Sequence, residues 1–191
     1  MKKDLARHFG QSYAVDPVHY VGTPPMITAL ANDQVEIANL AYSTLGIAVE
    51  NAGLDDMRVV ADEFQDGVDD YYSEEYMVLK DGPIQKVEDL KGRVLATNAA
   101  GSAVDVATKA MLRKHGLEPN RDYTVVEAPL PAMKAMLAEK KVDLIPSVLP
   151  FSYDPELRRV ARDLFVQKEA DRKSTRLNSS HVVTSRMPSS A

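Results

Sequence analysis

Val87-Glu-Asp-Leu-Lys-Gly-Arg-Val-Leu-Ala-Thr-Asn-Ala-Ala-Gly-Ser-Ala-Val-Asp-Val-Ala-Thr-Lys-Ala-Met-Leu-Arg-Lys-His-Gly-Leu117 reads in order as a lead-in turn, a buried strand, a glycine-containing loop and a helix. Arg93 to Ala96 form a short apolar run, and Thr97 to Gly101 break it with small and turn-forming residues. From Ser102 the apolar residues Val104, Ala107, Met111 and Leu112 recur at helical spacing. Lys114 and His115 suit the negative end of a helix dipole, Gly116 supplies the left-handed residue that ends the helix, and Pro119 follows. Such a loop sets a helix N-terminus, with its unpaired N–H groups, at the carboxyl end of a strand, where α/β proteins hold small anions and polar ligands.

A second reading stays open at the same place. Ser102-Ala-Val-Asp105 fits a capping box that satisfies the first turn internally. The two readings are compatible if the Asn98 to Gly101 amides face outward. No Gly-Lys-Ser/Thr follows, so the loop is no P-loop, and Gly-x-Gly-x-x-Gly is absent.

Working outward, strands alternate with helices. Asp4 to Gly10 resembles the end of a helix, and Val18 to Val21 reads as a strand. Thr23 then caps a helix with Pro24 or Pro25 at its first position and Met26, Ile27, Leu30 and Ala31 on one face. Val35–Leu40 is a strand, Tyr42–Asn51 a helix closed by Gly53, Met57–Ala61 a strand, and Tyr76–Lys80 another. Between the last two lies an acidic run, Asp66, Asp69, Asp70, Glu74 and Glu75, without calcium-loop spacing, which reads as a solvated loop carrying Tyr71 and Tyr72, with those two tyrosines as ligand-stacking aromatics the alternative reading. After Leu117 come strand Tyr123–Glu127, a turn, helix Ala132–Lys140 and strand Val142–Ile145. An offset of 107 places Met26 on Met133, Leu30 on Leu137, Ala31 on Ala138 and Val35 on Val142, a faint repeat of one unit in two halves or a chance likeness of two βαβ units. The alternation implies mostly parallel sheets, with strand-end loops facing a shared cleft.

At 191 residues, 45% apolar and 27% charged, the chain can bury one good core or two small ones. A net charge of −5 and no basic face argue against nucleic acid. With no cysteine there is no disulfide, thiolate zinc site or thiol nucleophile. No hydrolase or metalloprotease signature joins His8, His19 and His115. The chain therefore reads as a binder rather than an enzyme, with no cofactor or metal.

Gly22-Thr-Pro-Pro-Met-Ile-Thr-Ala-Leu-Ala31 with Val35-Glu-Ile-Ala38, the Val87–Ala103 stretch, Met136-Leu-Ala-Glu-Lys-Lys-Val-Asp-Leu-Ile145 and Pro150-Phe151 together resemble the substrate-binding proteins of ABC importers in the nitrate/sulfonate/taurine branch. The resemblance runs from about Leu5 to Ala170. It implies an α/β chain with the two-lobed type 2 periplasmic-binding-protein fold, truncated at both ends, with lobe 1 at 1–80, lobe 2 at 81–165 and the start of a return crossover at 166–170. It further implies an inter-lobe cleft lined by Gly22, Thr23, Pro24, Ala41, Tyr42, Ser43, Asn98, Gly101, Ser102, Pro150 and Phe151. The implied role is the periplasmic solute-binding component of an importer, a monomer that closes about a hinge near Leu79-Lys80 and docks on a membrane permease. Hydroxyls and amides without an Arg favour a sulfonate, nitrate or carboxylate over doubly charged phosphate, with a heterocycle stacked on Tyr42 or Phe151 as the other possibility.

The sequence departs from that family at its ends. A signal peptide, the first strand and the segment that returns to complete lobe 1 are all missing from the pattern. Asp171 to Ala191 looks like translated sequencing adapter and is expected to form a non-native, disordered tail; without it the net charge falls from −5 to −8. Two alternatives share the fold. A thiamine-pyrimidine synthase-like enzyme is disfavoured by the absence of Cys, and the effector domain of a transcription regulator requires a helix-turn-helix that this chain does not display.

Overall fold

A computed structural model describes residues 10–12, 14–64, 66–67, 72–170 and 181–186. The stretch that decides the fold forms as its spacing predicts. Asp89 accepts hydrogen bonds from the Gln85 and Lys86 amides at 2.8 and 3.1 Å, closing the lead-in turn. Strand β4 (Val94–Thr97) follows, and helix α3 (Ala103–Lys114) starts at Ser102 and ends before Gly116, which takes the left-handed conformation at φ 76°.

β4 belongs to a two-stranded sheet that an isolated bridge continues into a three-stranded one. It pairs in parallel with β5 (Thr124–Glu127), and a parallel bridge from Leu95 to Leu144 joins it to β6 (Ile145–Ser147). β6 then pairs antiparallel with β3 (Glu75–Leu79), and β3 antiparallel with β7 (Ala161–Val166). The order is β5-β4-β6-β3-β7, with β3 alone running against the rest.

Because strand side chains alternate, each strand feeds two cores. Tyr76, Val78, Leu95 and Phe165 pack with Met111 and Leu112 of α3 on one face. Met77, Ala96 and Ile145 pack on the other with Met133 and Leu137 of α4 (Leu130–Ala138) and Leu157 of α5 (Pro155–Val160). Tyr76 and Phe165 stack with ring centroids 4.5 Å apart. The short helix α6 (Gln167–Ala170) rests on α3, where the Lys114 ammonium donates to the Glu169 carbonyl at 2.7 Å.

Lobe 1 repeats this plan on a smaller scale. Helix α1 (Thr23–Ala31), strand β1 (Ile37–Ala41), helix α2 (Tyr42–Ala52) and strand β2 (Met57–Phe64) enclose Ile27, Leu30, Ala38, Leu40, Ala48 and Leu54. The offset of 107 carries the first and last residues of α1 onto those of α4. It also carries Asp33, at φ 53°, onto Lys140, at φ 57°. The closing hydrogen bonds match too: Gln34 N–H to Ala29 and Lys141 N–H to Met136 are both 2.9 Å. The repeat is therefore structural, one helix–turn–strand unit used twice.

Four expectations change. Residues 14–20 carry no regular structure, and Val18 and Val21 are exposed, so Val18–Val21 is not a strand; most of the Asp4–Gly10 segment falls outside the described residues. β3 belongs to lobe 2, since it pairs with β6 and β7, so the boundary lies before Glu75 rather than at Lys80. The hinge cannot lie at Leu79-Lys80 either, because the Lys80 amide is bonded to Val160 at 2.9 Å within lobe 2.

The fourth concerns the tail. Residues 181–186, expected to pack nowhere, form β8 (His181–Arg186), antiparallel to both β1 and β2 and lying between them. β-branched Val182, Val183 and Thr184 favour extended backbone, and β1 and β2 would otherwise leave unpaired edges facing a gap.

Candidate functional site

A cleft of about 470 Å³ opens between the lobes, lined by Thr23 and Asn39 from lobe 1, by Tyr72 and Glu74 from the connection, and by Asn98, Ser102, Ala103, Val104, Leu130, Val148 and Leu149 from lobe 2. Of the expected residues, Thr23, Asn98 and Ser102 therefore share one cavity.

The α3 start carries the cap and open donors together. The Ser102 hydroxyl accepts from the Asp105 amide at 3.4 Å and donates to the Asn98 side-chain carbonyl at 2.6 Å. Asp105 reaches back to the Gly101 amide at 2.8 Å, and the Ala100 amide donates to Glu127 at 2.9 Å. These amides are consumed within the protein and do not face outward as the sequence reading requires. The next two, of Ala103 and Val104, have no acceptor among the described residues, and both residues line the cleft. Asp105 would oppose an anion there, but Lys109 pairs with it at 2.6 Å. The field of the helix start is thus left largely uncancelled.

Gly22 and Gly101 act across the cleft mouth. A Cβ on Gly22 would stand 2.8 Å from the Ala99 Cβ and 3.5 Å from the Asn98 side-chain nitrogen. Only glycine lets these loops approach so closely. Gly101 sits at φ 77°, with Pro24 beside it. Gly22, Pro24 and Gly101 therefore form the contact between lobes rather than the cavity wall.

Ala41, Tyr42 and Ser43 do not line the cavity. β1 passes into α2 without a loop residue, so Tyr42 and Ser43 are helix positions, Ala41 is buried, and Asn39 takes the place expected of them. Pro150 and Phe151 also stand back from the wall, which is made by Val148 and Leu149.

The sequence places Tyr72 and Glu74 in a solvated acidic loop, and the structure buries their surroundings instead. Tyr72 donates to the Ser147 carbonyl at 2.8 Å, and burial pushes its phenol far above the usual tyrosine range. Asp66 is fully buried, accepting from the Ser73 hydroxyl and the Glu74 amide, both at 2.7 Å. Burial outweighs those two bonds and raises its pKa to about 6. The Lys168 amide donates to the Ser73 hydroxyl at 3.0 Å, and the Gln167 amide to the Glu74 carbonyl at 2.8 Å. Asp66, Ser73 and Glu74 are thereby tied to Gln167 and Lys168 where the chain passes between lobes. Asp69, Asp70 and Tyr71 lie outside the described residues. A signal for Glu74 is present in the sequence, since it immediately precedes the apolar strand Glu75–Leu79 and shares the face of Tyr76.

Solved structures of other proteins share this fold. The aliphatic sulphonate-binding protein SsuA from Escherichia coli superposes with a TM-score of 0.70 at 19% identity, covering 96% of this chain and 58% of that one. The alkanesulfonate-binding protein SsuA from Xanthomonas axonopodis pv. citri, bound to MOPS, gives 0.67 at 21% identity over 88% of this chain and 53% of that one. A binding protein component of a phosphonate ABC transporter from Pseudomonas aeruginosa gives 0.71 at 16% identity over 98% and 62%. The chain thus has the two-lobed periplasmic-binding fold and spans little more than half the length of these proteins. No curated protein matches it in sequence. A family model described as "ABC transporter, phosphonate, periplasmic substrate-binding protein" matches residues 1–143, and the chain belongs to that family.

Proposed function

We propose that the chain is the major part of a solute-binding component of an ABC importer, holding a small organic anion of the sulfonate or phosphonate type in the inter-lobe cleft. One observation carries this reading: Ala103 and Val104, whose amides at the start of a twelve-residue helix have no acceptor among the described residues, line a cavity that Thr23 and Asn39 also line. Helix-start amides and their dipole favour a negative group by about 0.3–1 kcal/mol, more when partly buried. Because the described lining has no Lys, Arg or His to balance a second charge, a monoanionic head fits better than a doubly charged phosphate.

The mechanism is hinge closure. Ligand bound to α3 would draw the Thr23 loop against the Asn98–Gly101 loop, and Gly22 permits that approach. The closed form would be what a membrane permease recognises, and the protein would act outside the cytoplasmic membrane as a monomer. Nucleic acid and chemical catalysis have no part in this reading.

Calorimetry against ethanesulfonate, ethylphosphonate, nitrate and inorganic phosphate tests it. Ser102→Ala should weaken binding of the preferred anion, and Gly22→Val should weaken it by about tenfold or more, since a contact that closes the cleft is lost. Unchanged affinity in both variants would remove the assignment of the site, and phosphate as the tightest ligand would remove the ligand class.

A further inference from the structure

We propose that lobe 2 carries a second ligand site, separate from the cleft, that takes a small organic monoanion with an apolar body.

The site lies at the far end of the lobe 2 strands. Glu74, Asn98 and Val148 line the cleft where β3 begins and where β4 and β6 end. At the opposite strand ends Leu79 closes β3, Arg93 precedes β4, Asp143 precedes β6 and Val160 precedes β7, and these four line a separate cavity of about 680 Å³. Val78, Ile84, Leu137 and Val142, all buried, give it an apolar lining. Sites for small organic molecules have this size and this kind of wall, with a few polar groups to fix the ligand.

Charge decides which molecule fits. The lining holds three cations, Arg93, Lys140 and Arg159, against two acids, Asp81 and Asp143. Asp143 is already engaged, accepting from the Val94 amide at 3.1 Å and standing 3.8 Å from the Arg93 guanidinium. Lys140 and Arg159 differ from their neighbours in the chain. Lys141 pairs with Glu139 at 2.6 Å, and Arg158 pairs with Glu75 and, at 3.2 Å, with Asp163. The Lys140 ammonium and the Arg159 guanidinium have no such partner among the described residues. Only the Asp81 carboxylate remains to set against these two, an excess of one positive charge. The carbonyls that end α4 do not cancel it, because Ala135, Met136 and Leu137 accept from the amides of Glu139, Lys141 and Lys140 at 2.9, 2.9 and 3.0 Å. The cleft has no cation in its described lining, whereas this cavity offers an ammonium and a planar guanidinium above an apolar wall. A carboxylate head on the two cations, with its hydrocarbon body against Leu137 and Val142, satisfies both halves of the lining.

The test sets naphthalene-2-carboxylate against its neutral counterpart naphthalene-2-carboxamide, by calorimetry and hydrogen exchange on the 191-residue chain. The carboxylate should bind at least about tenfold more tightly than the carboxamide, the scale of one charged hydrogen bond. It should slow amide exchange in 79–84 and 137–143 and leave 98–104 unchanged. Lys140→Gln combined with Arg159→Gln changes two exposed side chains and should bring the ratio to within about threefold. Equal binding of the two compounds, a preference that survives the double variant, protection confined to 98–104, or no binding of the carboxylate at about 1 mM overturns the inference. The ligand proposed for the cleft is tested separately, and its failure leaves this site in place.

Discussion

Each lobe has an antiparallel strand inserted between two parallel ones, and the two inserted strands differ in kind. In lobe 2 it is β3, whose Tyr76, Met77 and Val78 are each 1% exposed or less and feed cores on both faces of the sheet. In lobe 1 it is β8, His181-Val-Val-Thr-Ser-Arg186, with two aliphatic residues in six. Its register with β1 is unbroken over five residues, but against β2 it slips twice, between Val59 and Ala61 and between Asp62 and Phe64. Backbone hydrogen bonds can complete a sheet with almost any sequence, whereas burial on both faces demands apolar residues at every position. A strand thus contributes in two separable ways: its pairing removes unsatisfied edges, and its packing supplies most of the stability.

The largest effect should follow from removing the poorer strand. Deleting 181–191 leaves β1 and β2 with open facing edges, so hydrogen exchange in Ile37–Ala41 and Met57–Ala61 should accelerate to near the unfolded rate while Val94–Thr97 and Ile145–Ser147 keep their protection. If lobe 1 exchange is the same with and without the segment, β8 contributes nothing and the adapter-like tail behaves as its composition suggests.

A smaller effect should come from matched cavities. Leu30 and Leu137 are equivalent under the repeat, and both are fully buried. Leu137→Ala should cost about 2–5 kcal/mol in denaturant unfolding, with Leu30→Ala at or below the low end because lobe 1 has fewer neighbours to lose. Equal costs would mean that the lobes are held with the same strength, and the asymmetry drawn from their middle strands would fail.

How much of the molecule is legible in its sequence follows the same division. Local signals succeed wherever the cause is local: the Ser102 cap, the glycine stop at Gly116, the proline starts of α1 and α4, and the offset of 107 that extends to matching positive-φ residues. What fails depends on partners distant in the chain. From the sequence β3 falls to the lobe it follows, because nothing in Tyr76-Met-Val-Leu79 announces pairing with residues 145–147 and 161–166. Among site residues, Thr23 and Ser102 come together because each sits at a helix start near the cleft, and Asn98 joins them from the loop between β4 and α3. Tyr42 and Ser43 do not, because the expected loop has no length. Glu74 is passed over because its charge suggests solvent, which outweighs the signal of its place beside the strand; in the structure it is buried, with the Gln167 amide bonded to its carbonyl.

The smallest expected effect concerns the seam between the lobes, and its sign follows from Asp66. Burial raises its folded pKa to about 6, although the Glu74 amide and Ser73 hydroxyl pull the other way. The unfolded chain should titrate near the ordinary aspartate value of about 3.9. Between these values the folded state binds the extra proton, so stability falls as pH rises from about 4 to 6. The contribution is fully present below the unfolded pKa and gone above the folded one. The separation between the two values corresponds to a stability change on the order of 1–3 kcal/mol. Other carboxylates titrate in the same window, so the comparison must be with Asp66→Asn, which keeps one acceptor oxygen for the Glu74 amide, presents an NH2 donor to the Ser73 hydroxyl in place of the second oxygen, and cannot ionise. Relative to that variant, the wild type should lose stability across pH 4 to 6 and run parallel above pH 7. If the two curves stay parallel throughout, Asp66 is already ionised in the folded state, and the two segments that cross between the lobes are tied together by a charged group rather than a neutral one.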